Sequence, residues 1–439
     1  MRKVVKFGGS SLASAKQFKK VKAIITADKT RCFVVPSAPG KRDSNDTKVT
    51  DLLYQCYEAA STGHSYKKIL EQIQSRFNDI IDGLDLDLNL DFEFKKIEEN
   101  FIAKAGRSYA ASRGEYLNGI IMSHYLGFPF VDAADVICFD ENGNFLAEKT
   151  NEELKAHLDS MKQAVIPGFY GAKPDGTIVT FSRGGSDVTG SLVARALLAD
   201  MYENWTDVSG FLVADPRIVD NPAQIGTITY RELRELSYMG AGVLHEEAIF
   251  PVRQEGIPIN IKNTNAPEDP GTLIVENTSR KTPYTITGIA GKKGFCSIII
   301  DKALMNTEVG FGRKVLEVLE KYNIPFEHMP SGIDTMSVLV HQDEFEENEQ
   351  AVLAGIHRAV HPDYLDIESD LGLIAVVGRG MKSNRGTAAK IFSALYEAKI
   401  NIRMIDQGSS ELNIIIGVHN SDFEQAIQAI YNIFVNANS

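Results

Sequence analysis

The last third of the 439-residue chain contains two copies of one pattern, related by an ungapped offset of 76 residues. The apolar strand pattern at 295–300 recurs at 371–376, and the matched positions keep their glycine or apolar character. The matched pairs are Gly310 with Gly386, Leu316 with Phe392, Leu319 with Leu395, Ile324 with Ile400, Phe326 with Ile402, Val338 with Ile414 and Val340 with Ile416. Each copy predicts a strand, a glycine turn, a helix, two strands and a second helix. Two copies are too few for a solenoid, so the repeat predicts two small α+β modules packed side by side.

Short apolar segments alternate with amphipathic helices over the first part of the chain. This alternation predicts an α/β fold with a mainly parallel sheet sandwiched by helices. Strands are predicted at 4–7, 32–36, 128–132, 164–167, 177–181 and 257–262. A helix is predicted at 15–25, and proline with polar residues at 266–271 and 279–283 marks the exit from this domain.

The short apolar segment at 286–290 precedes the first repeat and is expected to complete the second one. The first module is therefore predicted to be nested within the second. The predicted limits are 1–283 for the larger domain, 284–439 for the C-terminal region, about 294–363 for the first module, and about 284–293 plus 365–439 for the second.

Composition excludes several classes of protein. The net charge of −12 disfavours binding to nucleic acid or to anionic membranes, so a phosphate-bearing ligand must be held by local cations. No apolar run approaches the roughly 20 residues that a membrane-spanning helix needs, and no leader pattern precedes the first strand. The four cysteines form no C-x-x-C pair and give no metal or redox signal. We therefore expect a soluble, cytoplasmic protein without a protein-bound metal cluster.

The first chemical motif is KFGGSS at 6–11, between the first strand and the first helix. Two glycines allow backbone N–H groups to approach a phosphate, and Lys6 supplies a positive charge. A plain strand-to-helix turn is the alternative, since K-x-G-G alone is a weak signal. The nearest Walker-type segment, APGKR at 38–42, lacks the following Ser or Thr, so a P-loop is not supported.

The second motif is RGGSD at 183–187, at a strand end and before a helix predicted at 188–198. Ser186 or Asp187 could simply cap that helix. Arg183 is more informative, because a guanidinium beside a Gly-Gly turn at a sheet edge suits bidentate binding of a carboxylate. The alternative is a surface arginine in a solvated loop.

Two further motifs are weak in isolation. RGE at 113–115 is interpreted as the start of an apolar helix, where Glu115 could serve only the helix dipole. WTDVSG at 205–210, followed by DPR at 215–217, could be only a turn stabilised by an Asp side chain.

Taken together, the motifs resemble the aspartokinases of the amino-acid kinase family, in particular the lysine-sensitive type. They are KFGGSS at 6–11, SAPG at 37–40, RGE at 113–115, RGGSD at 183–187, WTDV at 205–208 and DPR at 215–217. The C-terminal repeat resembles the paired ferredoxin-like ACT modules of the same family. The resemblance covers nearly the whole chain. It implies ATP-dependent phosphorylation of the L-aspartate side chain to 4-phospho-L-aspartate, at the head of lysine, threonine and methionine synthesis.

The resemblance also assigns residues to the active site. It implies a catalytic role for Lys6 and Asp187. The implied aspartate ligands are Ser37, Thr50, Glu115, Arg183, Gly184, Gly185 and Ser186. The implied ATP ligands, with Mg²⁺ as phosphate partner, are Lys6, Phe7, Gly8, Gly9, Ser10, Thr206, Asp207, Leu212, Arg217 and Asn265. Two positions depart from the family pattern: Leu212 stands where many members carry a tyrosine, and Asn265 stands where a lysine is common, with Lys262 nearby.

The first ACT-like module is expected to bind an inhibitory amino acid, with lysine as the first candidate. The implied effector residues are Met305, Thr307, Glu308, Gly310, Phe311, Glu327 and Ser331. Met305 and Phe311 could instead be module core. The resemblance implies a homodimer formed through the ACT modules and leaves a dimer of dimers open.

The motifs leave two other functions open. One is a kinase of the same fold acting on acetylglutamate, glutamate or a nucleotide. Glu115 argues against an N-acylated substrate, because acylation removes the ammonium group that it would pair with. The other is a non-catalytic amino-acid sensor, which the presence of Lys6, Arg183 and Asp187 disfavours.

Overall fold

A computed structural model describes the protein over residues 1–182, 184–241, 246–279 and 283–436. The chain forms two compact units. The first consists of Met1–Phe211, Gly226–Tyr230 and Val243–Thr278, and the second of Leu212–Ile225, Arg231–Gly242 and Ser279–Ser439. Two stretches that precede residue 283 therefore pack with the C-terminal region. Two hydrogen bonds illustrate this packing: Ile289 N donates to Val213 O at 2.7 Å, and Ala223 N donates to the Tyr431 hydroxyl at 2.9 Å.

The first unit is built on a seven-stranded sheet and a separate two-stranded hairpin. Its strands are β1 (Lys3–Phe7), β2 (Arg31–Pro36), β3 (Ala164–Val165), β4 (Tyr170–Ala172), β5 (Ile178–Thr180), β6 (Met201–Thr206), β7 (Thr227–Thr229), β8 (Ile259–Asn263) and β9 (Thr272–Val275). The sheet order is β3-β2-β1-β6-β8-β9-β7, and β4 and β5 form the hairpin. Only the β8–β9 pair of the large sheet is antiparallel, so the prediction of a mainly parallel sheet is confirmed.

Ten α-helices precede residue 255 in the described part of the chain. They are α1 (Ala15–Ala27), α2 (Val49–Thr62), α3 (Lys67–Gly83), α4 (Asp91–Ile102), α5 (Arg107–Leu126), α6 (Ala133–Val136), α7 (Ala147–Leu158), α8 (Gly185–Ala196), α9 (Tyr230–Tyr238) and α10 (Glu246–Gln254). Helix α1 buries Phe18, Val21 and Ile25, and this spacing of three and four residues explains the predicted helix. Helices α2 to α5 join the same core through Leu53 and Phe77, among others. No helix in the described ranges is long and apolar enough to cross a membrane.

Three sequence predictions in this unit are corrected. The strand predicted at 128–132 is a single bridge between Phe130 and Val165, because Pro129 has no N–H to donate and the chain turns into α6 behind an Asp132 cap. The strand predicted at 177–181 lies in the hairpin and not in the large sheet. The strand predicted from 257 begins at Ile259, directly after Pro258.

The second unit contains one antiparallel sheet of six strands, in the order β11-β12-β10-β13-β15-β14. Its elements are β10 (Gly288–Asp301), α11 (Phe311–Lys321), β11 (Phe326–His328), β12 (Thr335–His341), α12 (Gln342–Glu346), α13 (Glu349–Val360), β13 (Tyr364–Val377), α14 (Thr387–Glu397), β14 (Met404–Asp406), β15 (Asn413–His419) and α15 (Phe423–Phe434). Gly310 and Gly386 cap α11 and α14 with φ of 82° and 84°, a left-handed conformation that favours glycine. The internal repeat is therefore confirmed at its two turn glycines.

Strands β10 and β13 are each 14 residues long and run through both halves of this sheet. The start of β10, at 288–293, pairs with the end of β13, at 372–377. The end of β10, at 295–301, pairs with the start of β13, from 364 onward. The two modules therefore share two uninterrupted strands.

Candidate active site

The Lys6 ammonium lies at the centre of a buried polar cluster between β1, β6 and α8. Its Nζ is 2.6 Å from Asp187 Oδ1 and donates to Asn204 Oδ1 at 3.4 Å. Asn204 Nδ2 in turn donates to Asp187 Oδ1 at 2.8 Å. Lys6 and Asn204 are directly paired in the parallel ladder of β1 and β6, which sets this spacing. The cluster holds a nearly buried cation in one orientation at the carboxyl end of β1.

The glycine turn after β1 packs backbone against backbone on the segment 37–40. Gly8 N donates to Trp205 O at 3.0 Å, and a short 3₁₀ helix, Gly9–Leu12, follows. Gly40 N donates to Gly9 O at 2.8 Å, and Ser37 N donates to Phe7 O at 3.0 Å. The two loops that carry predicted nucleotide and aspartate ligands are thus in direct contact.

Glu115 lies in the middle of α5, which begins at Arg107, so the prediction that RGE starts a helix is wrong. The helix starts earlier because Gly106, with φ of 104°, ends the preceding turn. The Glu115 carboxylate accepts the Ala38 backbone N–H, while its Oε2 finds no partner within the described ranges. Burial raises the pKa of Glu115 to about 8, against the lowering effect of that N–H.

Asn118 follows Glu115 by one helical turn and faces the same loop. Its Nδ2 donates to Ser37 O at 2.7 Å, and its buried Oδ1 has no partner in the described part of the chain. Two buried acceptors, Glu115 Oε2 and Asn118 Oδ1, are therefore left for donors that the described residues do not supply. An acceptor pair of this kind suits an ammonium group.

Arg113, the first residue of the RGE motif, is also buried, but among aromatic rings. Its guanidinium carbon lies 4.6, 4.4 and 5.3 Å from the ring centroids of Tyr109, Tyr116 and Tyr170. It donates to Ser112 Oγ at 2.9 and 3.1 Å. This cation contributes to the positive potential around Glu115.

The start of α8 is closely packed. Gly184 is left-handed, with φ of 55°, and a Cβ on Gly185 would lie 2.3 Å from the Phe169 ring. Ser186 packs on Gly168, where a Cβ would lie 2.6 Å from the Ser186 Cβ. The helix begins at Gly185 and has no side-chain cap, so neither Ser186 nor Asp187 caps it. The predicted carboxylate ligand Arg183 lies outside the described residues.

The remaining predicted ligands in the first unit lie on three elements. Thr50 is the second residue of α2 and is partly exposed. Thr206 ends β6, and its hydroxyl donates to Asp207 Oδ1 at 3.2 Å. Asn265 follows β8, and its Oδ1 accepts Lys20 Nζ at 2.7 Å. Lys262 instead lies 5.2 Å from the Trp205 ring centroid, where burial lowers its pKa.

Leu212 and Arg217 belong to the second unit. Leu212 bridges to Gln224 and is 37% exposed. The Arg217 guanidinium pairs with Asp215 at 2.5 Å and is otherwise exposed. The pairing raises the pKa of Arg217 and lowers that of Asp215.

The predicted effector residues of the first module differ in burial: two lie in its core, and the others lie nearer its surface. Met305 and Phe311 are buried in its core, as the simpler interpretation of these two has it. Glu308 pairs with Lys302 at 2.5 Å and with Lys314 at 2.6 Å, which lowers its pKa to about 2. The other members are more peripheral. Thr307 donates to Leu304 O, Gly310 caps α11, and the Ser331 hydroxyl donates to Met329 O.

Glu327 is the most enclosed carboxylate of this set, with 8% of its side chain exposed. It lies 3.6 Å from His341 Nε2 and accepts a hydrogen bond from the Tyr238 hydroxyl. A cleft of about 400 Å³ in the same unit is lined by residues of β10, β12, β13 and β14, and it includes Ser331 but none of the other six predicted effector residues.

Sequence reasoning missed Asn204 and Asn118. Asn118 had a signal, because it follows Glu115 at the spacing of one helical face, whereas the strand of Asn204, MYENWT, mixes polar and aromatic residues and does not single Asn204 out. Lys20 gave no signal, because a lysine on an amphipathic helix is ordinarily solvated.

The chain is similar to known proteins over almost its whole length. The sequence profile of the amino acid kinase family matches residues 1–263, and an ACT domain profile matches 374–434. Aspartokinase 3 of Bacillus subtilis is 40% identical over 98% of both chains. The chain belongs to the aspartokinases. It is thus a kinase of the family that the sequence motifs resembled, and the predicted fold class is confirmed.

Solved structures show the same architecture. The crystal structure of Clostridium acetobutylicum aspartate kinase is 52% identical, with a TM-score of 0.89 over 98% of this chain and 99% of that one. Two structures of Escherichia coli aspartokinase III, one with aspartate and ADP and one with lysine and aspartate, are 24% identical, with TM-scores of 0.73 and 0.74 over 99% of each chain. At that identity they show a shared fold.

Proposed function

We propose that the chain transfers the γ-phosphoryl group of ATP to the side-chain carboxylate of L-aspartate in the cytoplasm. The product is 4-phospho-L-aspartate, which opens the synthesis of lysine, threonine and methionine. The observation that carries the proposal is the Lys6 ammonium, fixed by Asp187 and Asn204 beside the glycine turn. A cation held in this way stabilises charge on a transferring phosphoryl group without reorganising during the reaction.

This reaction requires no general base. The side chain of aspartate has an ordinary pKa of about 3.9 and is ionised at neutral pH. Catalysis then depends on placing the acceptor in line with the phosphoryl group and on neutralising charge. Lys6 neutralises charge, Asp187 orients Lys6, and the N–H groups of the turn at Gly8, Gly9 and Ser10 bind phosphate oxygens.

Aspartate binds beside this turn. Glu115 pairs with its α-ammonium group, and the unpartnered Glu115 Oε2 and Asn118 Oδ1 support that role. Arg183 binds its α-carboxylate, a role that rests on the sequence motif alone. Ser37, Thr50, Ser186 and the backbone at Gly184 and Gly185 complete the pocket.

The nucleotide binds with Mg²⁺. Among the described residues no group of three or more His, Cys, Asp or Glu side chains could hold a metal ion. That fits Mg²⁺, which proteins commonly hold through one or two carboxylates and the phosphates of the substrate. When bound, the ion neutralises charge on the phosphates. Nucleotide ligands are assigned to Phe7, Thr206, Asp207, Leu212, Arg217 and Asn265, besides the glycine turn.

An end-product amino acid inhibits the enzyme through the first ACT module, and lysine is the first candidate. Glu327 offers an enclosed carboxylate for the ammonium group of an effector. The Glu308 carboxylate already pairs with the side chains of Lys302 and Lys314. Threonine, alone or with lysine, is the alternative effector.

The protein acts as a homodimer formed through its ACT modules, with a dimer of dimers as the larger alternative. Three apolar side chains of the first module support an interface: Val309 is 96% exposed, and Leu304 and Ile333 are each 70% exposed. Sedimentation equilibrium of the wild type and of a Val309→Asp variant tests this point. A wild-type monomer would contradict it.

Trapping of the acyl phosphate with hydroxylamine tests the reaction. We expect hydroxamate to form only when ATP, Mg²⁺ and L-aspartate are all present. With glutamate or N-acetylglutamate as the acceptor, we expect no hydroxamate. Turnover restricted to N-acetylglutamate would overturn the choice of substrate. Inhibition profiles with lysine, threonine and methionine then identify the effector.

A further inference from the structure

Lys20 lies on α1 with its ammonium group directed at the loop after β8. Its Nζ donates to Asn265 Oδ1 at 2.7 Å, and the residue is partly buried. Within the described ranges no carboxylate pairs with it, whereas the buried Lys6 has Asp187. Because its partner is a neutral amide, the full positive charge of Lys20 remains available to a ligand.

Gln17, one turn earlier on α1, connects this lysine to the glycine turn. Its Nε2 donates to Ser10 O at 3.3 Å and to Asn265 Oδ1 at 3.2 Å. Its Oε1 is buried and has no partner within the described ranges. The amide of Gln17 therefore contacts both Ser10, in the proposed phosphate-binding turn, and the residue that holds the ammonium of Lys20.

A second connection joins the same two loops. The Ser11 and Thr264 hydroxyls are 2.8 Å apart and buried, so the segment before Asn265 is fixed against the turn after β1. Asn265 N also donates to Asn263 Oδ1 at 2.8 Å, which orients the loop. The Lys20 ammonium is consequently held at a defined position near the turn, because the loop that carries its partner Asn265 is itself fixed there.

We propose that Lys20 binds the polyphosphate of the nucleotide, with Asn265 and Gln17 positioning its ammonium group. The chain has a net charge of −12, so a nucleotide anion needs cations placed locally. Lys6 serves the transferring group in the proposed function, on which this inference rests. Lys6 precedes the glycine turn, on β1, whereas Lys20 follows it, on α1, and supplies a second positive charge.

Calorimetric titration of the protein with MgADP tests the inference without turnover. Lys20→Met is expected to weaken MgADP binding about tenfold, and Lys20→Gln, which keeps a hydrogen-bond donor without charge, is expected to weaken it similarly. Lys20→Arg should stay within threefold of wild type. Lys19→Met, an exposed neighbour on the same helix, is the matched control and should bind as wild type does.

A rescue experiment separates charge from packing. Because Asn265 Oδ1 is 2.7 Å from Lys20 Nζ, a lysine at 265 can bring an ammonium group to the same region. Lys20→Met combined with Asn265→Lys is expected to regain most of the lost MgADP affinity. A role confined to the folding of α1 would not be rescued in this way.

The outcomes distinguish this inference from the proposed function. MgADP affinity of both Lys20→Met and Lys20→Gln within twofold of wild type would overturn the role of Lys20. Wild-type protein that binds MgADP but forms no aspartyl hydroxamate would overturn the proposed function, while the loss of affinity in the Lys20 variants would still stand. In kinetics, the KM for ATP should rise in Lys20→Met while the KM for aspartate stays within twofold.

Discussion

Gly40 approaches Gly9 so closely that a Cβ on Gly40 would lie 2.6 Å from the Gly9 carbonyl carbon. No side chain can yield at this contact, because both surfaces are backbone. The contact joins the turn that follows β1 to the loop that presents Ser37 and Ala38. It explains why glycine occupies both positions although neither has a left-handed conformation.

Gly40→Ala is therefore expected to separate the two loops and to lower kcat/KM for aspartate by about 10²-fold, since misplacement of reacting groups by 1 Å has effects of that size. Steady-state kinetics on a folded variant would measure it. Gly408→Ala, at a glycine with open space around it, is the control and should leave kcat/KM unchanged. Normal activity of Gly40→Ala would show that the loops tolerate separation.

Lys6→Met is expected to reduce kcat by about 10³-fold, because it removes a preorganised charge from the phosphoryl group in the transition state. The KM for aspartate should stay within twofold, since Glu115 and the loop at Ser37 are retained. Lys41→Met, at an exposed lysine in the neighbouring loop, provides the control. A Lys6→Met enzyme that keeps most of its kcat would remove Lys6 from this role.

Glu115 predicts a pH dependence of aspartate binding. Because the pKa of Glu115 is about 8, this carboxyl group is mostly protonated at pH 7 in the free enzyme. The ammonium group of aspartate binds the ionised form. The affinity for aspartate should therefore rise about fivefold between pH 7 and pH 8 and level off above the pKa. The KM for aspartate measured from pH 6.5 to 9 checks this. Glu115→Gln should remove the dependence, and Glu99→Gln, at an exposed position, should retain it.

The same group predicts a stability effect. Between the ordinary pKa near 4.5 and the folded-state pKa near 8, the folded protein holds a proton that the unfolded chain releases. The free energy of unfolding should therefore fall as pH rises through this window, by an amount on the order of a few kcal/mol. Glu115→Gln should show a smaller fall in chemical denaturation. Identical pH profiles for the two proteins would contradict the assignment.

Glu327→Ala is expected to relieve inhibition by the effector, raising its half-inhibitory concentration at least about tenfold, as loss of a charge-assisted bond does. Basal kcat and KM should remain unchanged. Inhibition curves with lysine and with threonine measure the effect. Glu347→Ala, at an exposed position in the same module, serves as the control. Unaltered inhibition in Glu327→Ala would place the effector elsewhere.

Local patterns in the sequence predicted a large part of the fold. The turn at Gly8 and Gly9, the helix of Phe18 and Val21, and the repeat at Gly310 and Gly386 all depend on residues close together in the chain. The Asn204 contact with Lys6 could not be predicted, because it depends on β6 pairing with β1 across 198 residues. Long-range strand order is a property of the whole sheet and leaves no local signal.

The positions of Glu115 and Lys20 were difficult for related reasons. RGE was interpreted as the start of an apolar helix, yet its three residues are buried within α5, and Glu115 contacts the backbone of Ala38 from another part of the chain. For Lys20, the informative partner is Asn265, distant in sequence by 245 residues. In both cases the contacts of a polar residue on a helix depend on a segment that is distant in sequence.

Strands β10 and β13 each pass through both ACT modules without a break. A shift in register at Phe295, where the ladder is already irregular, would displace hydrogen bonds on either side of it. The regulatory half is therefore expected to tolerate insertion or truncation poorly between its modules, and neither module should be obtainable as a stable fragment by simple excision. A change in the backbone of one half is therefore expected to reach the other half through these two strands.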